Sequence, residues 1–239
     1  MTMLKKGAVQ PLVQAACVTL VLIALAGAAR ANEDWRPCPG NGWEVTGADD
    51  REHALVCDGV AGAAAFLSSC GVVSKSATRV RVVDVLPLSC GTKVWGLFDA
   101  ERNEIMLGNP AICLAEAPDE SLFRLVCEQL AFVAIAAHEA THAMLFAGGL
   151  GVERRLEHEY IPAIAQMQVL PEIEREALLA PLDLRAAVAL WELNPLLHAL
   201  RPDLFAGLAW RHFENEGDKC AFIRGLAEGT LRLPDYSAF

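Results

Sequence analysis

Apolar positions recur at near-helical spacing from Arg51 to Ser69, where Leu55, Val56, Val60, Ala63, Ala64 and Leu67 share a side and Gly71 follows as a stop. A first helix is expected there. From residue 77 to 87 the pattern changes to valines interspersed with Arg79, Arg81 and Asp84, which suits a half-buried strand. The short apolar runs VWGLFD and NEIMLGN, joined by AER, predict a β-hairpin over residues 94–109, bringing the strands to about three. Residues 117–149 then form the longest helical pattern, with Asp119 or Ser121 as N-cap and Gly148-Gly149 as the stop. Between Leu130 and Ala137 it is apolar on nearly every face, the mark of a helix buried in the core. The remainder reads as helices over 156–170, 182–193, 202–213 and 218–229, broken by Pro181, Pro195, Pro202 and Gly229. Trp191 and Trp210 fall at apolar helical positions and are expected in the core. Strands early and helices late predict an α+β fold, with a small antiparallel or mixed sheet and a mostly helical C-terminal half.

The N-terminal stretch has a different character. Lys5 and Lys6 precede an apolar run from Pro11 to Ala28, interrupted by Gln14, and Ala29-Arg30-Ala31 follows, so residues 1–31 read as a cleaved signal peptide. Residues 32–239 contain no linker long enough to separate domains, and one domain is expected. Localisation would be periplasmic or secreted, with no stable membrane anchor after cleavage. Acidic side chains outnumber basic ones by 30 to 20, and the leader would remove Lys5, Lys6 and Arg30, so nucleic acid and anionic lipid are poor partners. Cys17 would leave with the leader too. Cys38, Cys57, Cys70, Cys90, Cys113, Cys127 and Cys220 remain, and in an exported chain disulfides are the default. Local pairing would join Cys113 to Cys127 and Cys38 to Cys57; none of these cysteines has C-x-x-C spacing.

Inside the core helix stands the pentad His138-Glu139-Ala140-Thr141-His142. Positions four apart on a helix lie one turn apart on one face, so both imidazoles can reach a single ion. Glu139 is rotated by about 100° from His138, which keeps it off the ion yet near a water beside it. These residues resemble the zincin metallopeptidases, and the resemblance covers roughly residues 77–170. It implies a small sheet whose edge strand, within 94–108, aligns substrate, an active-site helix, and a following helix that brings a third ligand. The metzincin extension needs glycine at position 145 and histidine at position 148, where this chain has Leu145 and Gly148. The gluzincin arrangement takes a glutamate from the next helix, where RRLEHEYIPAIAQMQ offers Glu157, His158 and Glu159. Glu159 is preferred because Ala163, Gln166 and Leu170 continue its face into the core, while Glu157 lies nearer the exposed start.

Two features depart from the gluzincin pattern. Pro162 cannot donate to the His158 carbonyl, so the helix is expected to start near Glu159 or kink there. Ala163 stands where some gluzincins place an acid to hold a zinc histidine, so another acceptor is required. Short bacterial exported proteins with HExxH and a following EHEY-like stretch are also similar. The resemblance thus implies an exported zinc-dependent peptidase acting on a peptide or protein, with one Zn2+ on His138, His142 and Glu159, and Glu139 as general base. Tyr160 and His212 are further candidates for stabilising an oxyanion, though a structural role suits each better. His53 and His198 carry no local context. The alternative is a non-catalytic, disulfide-containing exported domain with a structural metal or none, acting by protein binding. A fourth protein ligand would favour that alternative, and an open position the peptidase.

Overall fold

A computed structural model of the protein describes residues 34–73, 77–86, 94–116 and 122–234. The expected signal peptide, Cys90, Asp119 and Ser121 lie outside the described residues. From Trp35 onward the chain forms one compact unit.

Its first helix, α1 (Asp50–Ser69), starts at a capping box: Asp49 accepts from the Glu52 amide and Glu52 accepts from the Asp49 amide. Val56, Val60, Ala63 and Leu67 form its buried face. That face packs on α3 (Glu128–Ala147), and Gly59 sets the approach, since a Cβ there would lie 2.5 Å from the Val133 carbonyl oxygen. Helix α3 is long and apolar enough to cross a bilayer, but 67% of its apolar window is buried within the protein, as befits a core helix.

Among the described residues the sheet has five strands, in the order β1-β2-β3-β5-β4. Its centre is parallel, with β2 (Glu44–Thr46), β3 (Arg79–Val83) and β5 (Glu104–Gly108) side by side. Both edges are antiparallel, formed by β1 (Arg36–Pro37) and β4 (Gly96–Asp99). The expected hairpin is β4–β5, with Phe98 opposite Ile105. Strands β1 and β2 were not visible in the hydrophobic pattern because two or three residues are too short to show a period. The Gly108 amide donates to the Trp95 carbonyl, and the Asn109 amide donates to Val83. In an antiparallel ladder bonding sides alternate, so Trp95, Leu97 and Asp99 bond β5 while the backbones of Gly96 and Phe98 face the outer edge.

After β5 come α2 (Pro110–Glu116), which the pattern did not predict, and a 3-10 turn at Leu122–Leu125. Helix α3 therefore begins later than expected. Cys127 is its extended N-cap, and Asp203 accepts from the Leu122 amide to anchor the preceding turn. The chain continues through α4 (Arg155–Gln168), α5 (Glu172–Leu179), α6 (Pro195–Leu200), α7 (Pro202–Asn215) and α8 (Lys219–Ala227). Helix α4 starts at Arg155 rather than near Glu159, and Pro162 lies buried in its interior. The helix expected over 182–193 does not form. Asp183 adopts a left-handed φ of 47° just after Pro181, and only 3-10 turns at Ala180–Leu182 and Leu190–Glu192 occur. Trp191 is consequently 62% exposed, contrary to expectation, whereas Trp210 is in the core.

Among the described residues, two disulfides tie the unit together. Cys38–Cys57 forms as expected, and Cys70–Cys220 joins the end of α1 to α8. The expected bond between Cys113 and Cys127 is not made: Cys113 turns from α2 onto Gly108 of β5, while Cys127 caps α3 at the surface. Disulfides of this kind belong to oxidising compartments.

Candidate metal centre

One face of α3 carries His138 and His142, whose Nε2 atoms lie 3.1 Å apart. Helix α4 packs across α3 and brings Glu159, whose Oε2 is 3.8 Å from His138 Nε2. One donor atom from each of these three side chains falls within 4.8 Å of the others. Glu159 is held in register because the rest of α4 is committed to the core: Leu156, Tyr160, Ile161 and Ile164 are buried on its other sides. Ala163, Gln166 and Leu170 are also buried, as the sequence suggested.

Glu157 occupies an environment opposite to the one expected. It is 4% exposed and accepts from Arg154 at 2.7 Å and from the Leu233 amide at 2.9 Å. Arg154 also donates to the carbonyls of Leu231 and Gly229. This carboxylate fastens the C-terminal segment to α4, so Glu159 alone of the two reaches the histidines.

Glu139 is buried between α3 and β4, where a Cβ on residue 96 would lie 2.5–2.9 Å from its side chain. Glycine at position 96 is what lets the edge strand close over it. Burial raises its pKa to about 8, with Glu159 adding to the rise and the Phe98 backbone opposing it. Burial also drives His142 down to about 3, helped by His138, and lowers His138 despite the neighbouring Glu159. Both rings are therefore neutral, the form that offers a lone pair to a metal. Burial pushes Glu159 upward, yet the His198 hydrogen bond and the two imidazoles outweigh it and hold this carboxyl at about 2. Nδ1 of His138 is buried without a hydrogen-bond partner, and the buried Gln166 amide stands beside that ring. Two neutral imidazoles and one ionised carboxylate converging on a point can hold a divalent cation.

Two more histidines complete the surroundings. His158 stacks on His142 with ring centroids 5.9 Å apart and donates to the Leu150 carbonyl. His198, on α6, places Nε2 3.1 Å from Oε2 of Glu159. Four of the chain's six histidines thus gather here. Nothing local in the sequence marks His198 for this cluster. The other two are elsewhere: His53 lies against the Cys38–Cys57 bridge, and His212 bonds the buried Tyr160 hydroxyl through Nδ1 at 2.9 Å. Tyr160 and His212 are buried and satisfy each other, which fits a structural role.

Residues 43–235 match the family of unknown function DUF6639. The chain belongs to that family. The DUF6639 match includes every residue of the centre and the Cys70–Cys220 bridge, while Cys38 and β1 precede it. No curated protein and no solved structure matches the chain.

Proposed function

We propose that this protein is an exported zinc-dependent peptidase of gluzincin type, in which His138, His142 and Glu159 hold one zinc ion and Glu139 is the general base. The observation that carries the reading is the convergence of those three donors from two helices, with Glu139 one residue along from the first. When bound, zinc supplies a Lewis acid that acidifies water and polarises a peptide carbonyl. Glu139 takes the proton from the attacking water and hands it to the leaving amine; the nearby cation would favour its ionised, proton-accepting form over the protonated form that burial favours in the metal-free chain.

The edge of the sheet supports the same reading. Gly96 turns its backbone groups outward beside Glu139, whose carboxyl takes the Phe98 amide, and an extended peptide can add as another strand at the remaining edge groups. Phe98 also packs edge-on against Phe146, one helical turn past His142, giving that edge an apolar wall. Export is supported by the leader-like N-terminus and by the two disulfides.

Zinc content by elemental analysis of untagged protein tests the proposal. Stoichiometric zinc in the wild type, lost in His142→Ala, together with hydrolysis of an unstructured protein that Glu139→Gln abolishes, is the expected result. Well-folded protein that takes up no zinc when zinc is supplied refutes the metal centre and returns the chain to the protein-binding alternative.

A further inference from the structure

We propose that His198 is the positioning residue of this centre, donating its Nε2–H to Glu159 so that the carboxylate stays aimed at the ion; the inference rests on the zinc reading above. Glutamate is a long side chain with freedom to swing, and a ligand that wanders loses affinity unless something outside the metal's own shell fixes it. Here the fixing group is the His198 imidazole. Nε2 of His198 lies 3.1 Å from Oε2, and the ring is itself held edge-on to Phe205 of α7 at 5.2 Å. Helix α6 is anchored by Asn194, which accepts from the Leu197 amide, and by Pro195 at its first turn.

His198 is not one of the three mutually close donors, so it meets the centre through Glu159. A carboxylate oxygen has two lone pairs, which lets Oε2 accept from His198 and still offer a pair to a cation. The acid that would support a zinc histidine from position 163 is replaced by Ala163, so support comes to the carboxylate from a different helix. His198 then leaves a coordination position open where a fourth ligand would close it.

The test compares wild type, His198→Ala and His198→Gln, measuring zinc affinity by chelator competition and counting nitrogen ligands by X-ray absorption of the zinc-loaded proteins. Glutamine is the discriminating variant, because its amide can donate where imidazole Nε2–H stood but is a poor nitrogen ligand. His198→Ala should bind zinc about 10–100-fold more weakly, with the wild-type nitrogen count unchanged, and His198→Gln should recover most of the loss. Equal affinity in wild type and His198→Ala overturns the role of His198 while leaving the zinc centre standing. A nitrogen ligand lost in both variants, without recovery by glutamine, overturns it differently by making His198 a direct ligand. Wild type that binds no zinc removes the zinc reading itself, and this inference with it.

Discussion

Glu157 and Glu159 stand two residues apart on α4 and lead opposite lives. Glu157 is buried in a network in which Arg154 and the Leu233 amide satisfy it, and Arg154 in turn secures the carbonyls of Gly229 and Leu231. Glu159 faces a partly open cluster where two neutral imidazoles point nitrogen at nitrogen, a third carboxyl is held protonated by burial, and Nδ1 of His138 lacks a partner. The first arrangement is finished and stabilises the fold. The second is costly as it stands, and a cation would complete it. One helix therefore carries a structural acid on one side and, on the other, the acid assigned to the proposed metal centre.

Substitutions on the two sides should separate cleanly. The largest effect is expected at Glu139→Gln, which should retain zinc and lower peptide hydrolysis by about 10²–10⁴-fold; a variant with wild-type turnover would remove Glu139 from the reaction. Next comes Glu157→Ala, which strands the buried Arg154 and should cost about 3–5 kcal/mol in a denaturant titration while leaving zinc stoichiometry intact. Glu159→Ala should do the reverse, so zinc loss in Glu157→Ala with little change in stability would invert the comparison.

A smaller effect follows from the metal-free protein. The folded-state pKa of Glu139, about 8, exceeds its ordinary 4.5, so between these values the folded chain binds a proton that the unfolded chain has released. Stability contributed by this group therefore falls as pH rises from 4.5 towards 8. Metal-free Glu139→Gln should be more stable than metal-free wild type by roughly 1–3 kcal/mol at pH 7, with the gap closing near pH 4. Parallel thermal melts across that range check it, and a gap independent of pH would contradict the protonated state. The smallest effect is expected at Tyr160→Phe, which loses the bond to His212 and about 1 kcal/mol of stability without altering zinc binding.

Much of this is legible in the sequence. The His138–His142 spacing fixed one helical face, and the apolar continuation through Ala163, Gln166 and Leu170 selected Glu159, because period and burial are local properties of a helix. The first helix and the β4–β5 hairpin were legible for the same reason. His198 was not, since a lone histidine on a six-residue helix has no neighbours in sequence that point to Glu159. The false helix over 182–193 shows the converse: its apolar spacing was adequate, but Asp183 in the left-handed region and two short 3-10 turns won locally. Pairing Cys70 with Cys220 depends on how α1 and α8 meet, and pairing Cys113 with Cys127 by proximity failed because Cys113 turns onto Gly108 while Cys127 stands exposed at the start of α3.

The Cys70–Cys220 bond encloses a covalent ring that contains the whole proposed centre, from Gly96 to His198. A single backbone cut anywhere inside that ring cannot release a fragment. Self-digestion, the ordinary hazard of a peptidase, would convert the protein into a two-chain molecule with its ligands still tethered, and a nicked sample would run as one species until thiol was added. The same bridge that fastens α8 to α1 thus hides clipping from any assay of size made without reductant.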